Sequence, residues 1–232
     1  MRVRTNLLTA LLASAIALTC VSDVRASLIG TGYSAVGSGP VSVTTPTVST
    51  HAGSFVGLWN SVPFTFWCFE LTQYFYFNVE YFDYTESPVS YPDVARLFEE
   101  VGGVAGATSS LVKSVAFQLA LWEIRYETTP IYDLAPGGAT SGTFYATSAD
   151  PAAVAQATYW LHNLPLTSSY SVSLLHSGEP GNEQDFVYAT RPPVRQTVPE
   201  PSSMPLVALG LAALMFSMRR RATDRSALTR QR

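Results

Sequence analysis

Cysteine is almost absent from this chain of 232 residues, which contains only two. Cys20 lies in an apolar amino-terminal stretch that we expect to be removed, so Cys68 is expected to remain alone. A lone cysteine cannot form an intramolecular disulfide, which excludes a small scaffold stapled by disulfide bonds. Cys68 must therefore be either a core side chain or a reactive thiol.

Basic side chains are also few, and Lys113 is the only lysine. Between residues 27 and 201, five Lys and Arg side chains stand against 15 Asp and Glu, which gives a net charge of −10. Because phosphate binding needs clustered Lys and Arg, nucleic acid is not expected as a partner. Aromatic residues are plentiful, and about 170 residues are enough for one hydrophobic core, so we expect a globular domain.

The first 26 residues have the pattern of a signal peptide. Arg2 and Arg4 precede an apolar stretch over 7–21, and Val24 with Ala26 has the small-residue spacing that signal peptidase accepts. We therefore expect signal peptidase to cut after Ala26 and the mature chain to be exported across the inner membrane.

Three features follow one another near the carboxyl end: a Pro-rich motif, an apolar run and a basic cluster. These are Pro199, Glu200 and Pro201, then residues 204–218, then Arg219, Arg220 and Arg221. An apolar run with a basic stop is typical of a membrane anchor, and a short run after a Pro-rich break is typical of a temporary one.

This order of features resembles the PEP-CTERM sorting tail of Gram-negative bacteria. The resemblance implies that a membrane-embedded exosortase removes the tail, with 204–218 as a transient transmembrane segment and 219–232 as a basic cytoplasmic tail. The mature form is then expected at the cell surface or in the extracellular matrix of exopolysaccharide. The alternative is an ordinary tail anchor, but 15 apolar residues fall short of the roughly 20 that a spanning helix needs.

Residues 27–190 are predicted to form the globular domain, followed by a Pro-rich stalk over 191–203. Strand signals lie at both ends of the domain, and helical patterns lie between them. Strands are predicted within 27–52, 53–84, 170–175 and 185–189, and helices over 92–101, 108–126 and 151–165. The predicted fold is α+β, with a β-sandwich or barrel-like sheet and an inserted helical layer.

Gln118 is the only polar residue in the apolar run 115–122 of the second predicted helix. A buried carboxamide must find hydrogen bonds or cost free energy. Attack of a Cys68 thiolate on the amide carbon of Gln118 would release ammonia and form an internal thioester. An amine or hydroxyl on a surface or matrix polymer could then attack the thioester and leave the protein attached through Gln118.

Two short segments carry residues suited to this chemistry: Trp-Cys-Phe-Glu at 67–70 and, 50 residues after the cysteine, Gln-Leu-Ala-Leu-Trp at 118–122. They resemble the two motifs of bacterial thioester domains. The resemblance implies that Cys68 and Gln118 are the bonded pair, and that three aromatic residues surround it: Trp67, Phe69 and Trp122. The expected role is covalent adhesion.

Two other functions remain open. Cys68 can be an inert small side chain in a secreted structural or carbohydrate-binding module. It can also pair with His51, His162 or His176 in a cysteine hydrolase, although no nucleophile signature surrounds it. The histidines lack ligand spacing, so no metal site is expected, and neither a cofactor nor enzymatic turnover is predicted.

Overall fold

Ten strands and four helices are formed by the residues that the computed structural model describes, namely 26–129, 131–135, 142–148, 150–178 and 183–191. The strands are β1 Leu28–Tyr33, β2 Gly39–Thr44, β3 Thr47–Ala52, β4 Phe55–Trp59, β5 Val62–Cys68, β6 Glu80–Tyr81, β7 Tyr84–Pro88, β8 Ala146–Ser148, β9 Ser171–Ser177 and β10 Phe186–Thr190. The helices are α1 Pro92–Val101, α2 Gly103–Ala107, α3 Leu111–Tyr126 and α4 Pro151–His162.

Seven strands form one antiparallel sheet in the order β6-β1-β4-β5-β10-β9-β7. Its two edge strands, β6 and β7, are separated in the chain by only Phe82 and Asp83. Because so short a connection holds both edges together, the sheet must curl until it is nearly closed. This confirms the predicted α+β fold with a barrel-like sheet.

The interior of the curled sheet is filled mainly with aromatic side chains. Phe66 on β5 lies 4.8 Å, ring to ring, from Phe186 on β10, and Phe75 packs edge-on against Phe186 at 4.7 Å. Phe75 also covers Gly30, where a Cβ atom would overlap its ring. Opposite Gly30 is Gly57, where a Cβ atom would overlap the Ile29 carbonyl oxygen. The two glycines therefore let β1, β4 and the Phe75 ring approach closely.

A second core lies between the outer face of the large sheet, the helices and a three-stranded sheet of order β3-β2-β8. Helix α3 runs through this core, and its residues 114–124 are all buried. A helix can be buried on all sides only inside a core. The helical layer is therefore inserted between two sheets.

Local signals explain where the helices begin and end. Pro92 starts α1, and Gly102 ends it with a left-handed backbone at φ 78°. Ser110 caps α3 by accepting the Lys113 N–H, and Asp150 caps α4 by accepting the Ala152 N–H. The three predicted helices are thus confirmed. The elements predicted from the sequence include neither the short helix α2 nor the strand β8.

Candidate functional site

The backbone carbonyl of Cys68 lies at the end of β5, at a gap in the large sheet. Phe69 donates its N–H to Asp185 O (2.8 Å) on the β10 side. The Cys68 carbonyl and the Phe69 N–H belong to the same peptide group and point in opposite directions. The Cys68 carbonyl therefore faces β4, on the other side of β5. Strand β4 begins only at Phe55, opposite Phe66, and has no residue there to donate a ladder hydrogen bond. A different donor is needed.

Gln118 supplies that donor. Its side-chain Nε2 donates to Cys68 O over 2.7 Å, across 50 residues of sequence. The Gln118 side chain is buried, with 1% of its surface exposed. The structure therefore brings the two residues of the predicted pair into direct contact, with the carboxamide held against the cysteine backbone.

A row of α3 residues spaced four apart docks along the same gap. Ser114, one turn before Gln118, accepts the backbone N–H of Ser54 at 3.0 Å. Tyr126, two turns after Gln118, accepts the N–H of Leu71 at 2.8 Å through its hydroxyl oxygen. Residues four apart share a helix face, so these contacts fix both the rotation of α3 and the position of Gln118.

Cys68 packs against both cores. Its cross-strand partner is Phe186, and strand alternation places it on the face of Phe66. The residue as a whole is partly exposed, yet burial raises the pKa of the Cys68 thiol. The un-ionised thiol is therefore the resting form at neutral pH.

The three aromatic residues predicted to surround the pair are all buried. Trp67 packs against Phe117 of α3 at 4.7 Å between ring centroids, and Phe69 packs against Tyr91 at 5.6 Å. Both belong to the helix-side core, so they flank Cys68 along the strand, while Phe66 and Phe186 share its face. Trp122 lies one helical turn after Gln118 in the same core.

A polar groove of about 430 Å³ lies beside Phe69 on the outer face of the sheet. Arg125 pairs there with Glu70, with Nη2 2.7 Å from Oε1. His176 Nδ1 lies 2.9 Å from both carboxylate oxygens of the nearly buried Asp185. No local pattern in the sequence predicts this groove, because its charged residues come from three distant parts of the chain, at 70, 125 and 176–185.

Each histidine contacts a partner other than Cys68. His51 Nδ1 lies 3.2 Å from Ser38 Oγ, His162 Nε2 lies 2.9 Å from Tyr132 O, and His176 contacts Asp185. A Cys–His dyad would need an imidazole within hydrogen-bond reach of the sulfur. The contacts of these side chains give a cysteine hydrolase no support.

The amino-terminal signal up to residue 25, the stalk from residue 192 and the sorting residues lie outside the described ranges. By sequence, residues 197–221 match the PEP-CTERM protein-sorting motif. This match covers Pro199, Glu200, Pro201 and the three arginines, Arg219 to Arg221. It supports export of the chain, membrane-anchored sorting and processing by exosortase.

The other comparisons add no relative. No curated protein and no solved structure matches the chain. The resemblance to bacterial thioester domains is thus not supported by the comparisons. Among the described residues, no helix has the length and apolar character needed to cross a membrane; the predicted segment 204–218 is not part of those ranges.

Proposed function

We propose that this protein is an exosortase-processed surface or matrix protein whose domain attaches covalently to a neighbouring molecule through a thioester between Cys68 and Gln118. The observation that carries the proposal is the 2.7 Å hydrogen bond from Gln118 Nε2 to Cys68 O. It holds the carboxamide at the residue that bears the only thiol of the expected mature chain.

Thioester formation needs no other reactant. The Cys68 sulfur bonds to Cδ of Gln118, the Cδ–Nε2 bond breaks, and the thiol proton leaves with Nε2 as ammonia. Because burial raises the pKa of the Cys68 thiol, transfer of this proton accompanies the attack of the sulfur. The buried surroundings of Gln118 then slow hydrolysis of the product.

Attachment to a partner is the second step. A primary amine or hydroxyl of a surface or matrix polymer attacks Cδ, the Cδ–S bond breaks, and the proton of the nucleophile passes to sulfur. The product is an amide or ester through Gln118 and a free Cys68 thiol. Each molecule reacts once, so the protein acts as an adhesin without turnover.

The test is the intact mass of the mature protein. The thioester form should be one ammonia lighter than the mass calculated from the sequence. Methylamine should convert Gln118 to its N-methyl amide, which removes this deficit and replaces one amide hydrogen by a methyl group. Gln184 is a matched internal control, because it is also buried and its Nε2 donates to a backbone carbonyl at 2.7 Å, but that carbonyl belongs to Glu70 and not to the cysteine. Cys68→Ala should abolish both effects.

An unshifted mass in the wild type, together with free alkylation of Cys68 after unfolding, would contradict the proposal. The protein would then be an exported module with an inert cysteine.

A specific surface feature favours a second candidate function, non-covalent carbohydrate binding. The segment after β5 alternates its rings: Phe75 and Phe77 point into the sheet interior, whereas Tyr74 and Tyr76 are 74% and 69% exposed. Phe82 is 53% exposed. Exposed aromatic faces can stack on sugar rings. If the Cys68→Ala variant still binds purified exopolysaccharide, and a variant with both Tyr74→Ala and Tyr76→Ala does not, this function is favoured.

A further inference from the structure

Several residues of the helix-side core carry buried polar atoms without hydrogen-bond partners, and Gln118 is one of them. Four buried side-chain polar atoms in the described residues have no hydrogen-bond partner, and three of them are Gln118 Oε1, Trp67 Nε1 and Trp122 Nε1. Buried donors and acceptors without partners are rare because each costs free energy. Gln118 thus has a free acceptor, and Trp67 and Trp122 each have a free donor.

The helix geometry brings one of these donors towards the acceptor. Trp122 lies one turn after Gln118, and side chains on a helix lean towards its amino terminus. The indole of Trp122 thus lies over the turn that carries Gln118, and only 2% of this residue is exposed. Trp67, by contrast, packs against the rings of Phe98 and Phe117, at 5.5 and 4.7 Å.

We propose that the indole N–H of Trp122 is the hydrogen-bond donor to the carbonyl oxygen of the Gln118 thioester, and that it activates this carbonyl for attack. The inference rests on the proposed function. In the amide state, the bond from Nε2 to Cys68 O holds the carboxamide in place. Loss of ammonia removes that bond, and the acyl group turns towards the sulfur, with its oxygen directed at the indole.

The same donor acts when a nucleophile arrives. As an amine nitrogen bonds to Cδ, the carbonyl oxygen gains negative charge, and the Trp122 N–H stabilises it before the Cδ–S bond breaks. Removal of one such donor typically slows the chemical step by about 10²- to 10³-fold. Trp122 is then a catalytic residue of a single-turnover reaction.

The experiment compares Trp122→Phe with Trp160→Phe, the same change at a buried tryptophan of α4 in the same core. We expect methylamine uptake at Gln118 to slow by about 10²-fold in the first variant and to stay near the wild-type rate in the second. The infrared band of the thioester carbonyl, identified by ¹³C labelling of glutamine, should move to higher wavenumber only in Trp122→Phe.

A further variant separates the N–H group from the shape of the ring. Replacement of Trp122 by β-(3-benzothienyl)alanine keeps two fused rings and removes the donor, and it should reproduce both effects even if Trp122→Phe does not fold. Wild-type uptake rate and an unshifted band in this variant would overturn the role of Trp122 and leave the thioester standing. A wild-type protein without ammonia loss would overturn both proposals.

Discussion

Burial in the core changes the pKa of one of its side chains, Glu123. Glu123 is fully buried in α3, and its Oε1 accepts the Asp133 N–H at 2.8 Å, whereas Oε2 has no partner. Desolvation raises the pKa of Glu123 to about 8, and the nearby charges of Glu127 and Asp133 add to that rise. At neutral pH the folded protein therefore holds this side chain largely protonated.

The pH dependence of stability follows from this pKa. The ordinary pKa of the group is 4.5, so the folded state binds an extra proton between pH 4.5 and about 8, and Glu123 destabilises the fold increasingly over that window. Relative to wild type, Glu123→Gln should gain free energy of unfolding as pH rises to about 8 and then level off. Each unit by which the pKa is raised corresponds to about 1.4 kcal/mol of free energy of unfolding.

Urea unfolding of both proteins at pH 5, 7 and 9 measures this difference. Glu80→Gln, the same change at an exposed carboxylate, is the control for general charge effects. A difference between Glu123→Gln and wild type that stays constant with pH would show that Glu123 does not titrate in this window.

At the scale of elements, the docking of α3 along the end of β5 determines the site. Ser114 is completely buried, and its hydroxyl oxygen accepts the Ser54 N–H and lies 3.1 Å from Ser54 Oγ. These contacts join α3 to the connection between β3 and β4. Gln118 lies on the same face of α3. A shift of the contact between Ser114 and Ser54 would therefore also move Gln118 relative to Cys68.

Ser114→Ala should weaken this joint. The change leaves a buried backbone N–H of Ser54 without its acceptor, which costs about 1–3 kcal/mol. Denaturant unfolding measures the loss of free energy. Ser49→Ala removes a hydroxyl contact with Ser42 on the exposed face of β3 and should cost much less. If the two variants lose equal free energy of unfolding, burial of the contact between Ser114 and Ser54 does not contribute to stability.

At the scale of the whole molecule, a folded domain and a sorting tail have separate tasks. The match at 197–221 assigns sorting to the tail, whereas the proposed thioester pair, Cys68 and Gln118, belongs to the domain. Removal of the tail should therefore change where the protein resides without changing the chemistry of its domain.

Substitution of Pro199, Glu200 and Pro201 by alanine tests this separation. The variant should accumulate as an uncut, membrane-associated precursor, because exosortase no longer recognises its motif. Cell fractionation and the intact mass measure the outcome, and alanine at Pro192 and Pro193, outside the matched motif, is the control. Release of the motif variant at the wild-type rate would contradict the assignment.

Local patterns in the sequence were enough to predict the sorting tail, the three longer helices and the class of the fold. Each depends on neighbouring residues: a Pro-Glu-Pro motif before an apolar run, a capping serine, or a proline at the first helical turn. The short strand β8 escaped prediction because only pairing with β2 creates it.

The sequence by itself determined that Cys68 and Gln118 were the residue types suited to acyl chemistry. Only the tertiary structure decided that they meet, because β4 begins too late to pair with the Cys68 carbonyl and α3 docks where a donor is missing. The groove with His176 and Asp185 likewise exists only once β9 and β10 pair. Contacts between distant residues depend on the path of the whole chain, and no local pattern encodes that path.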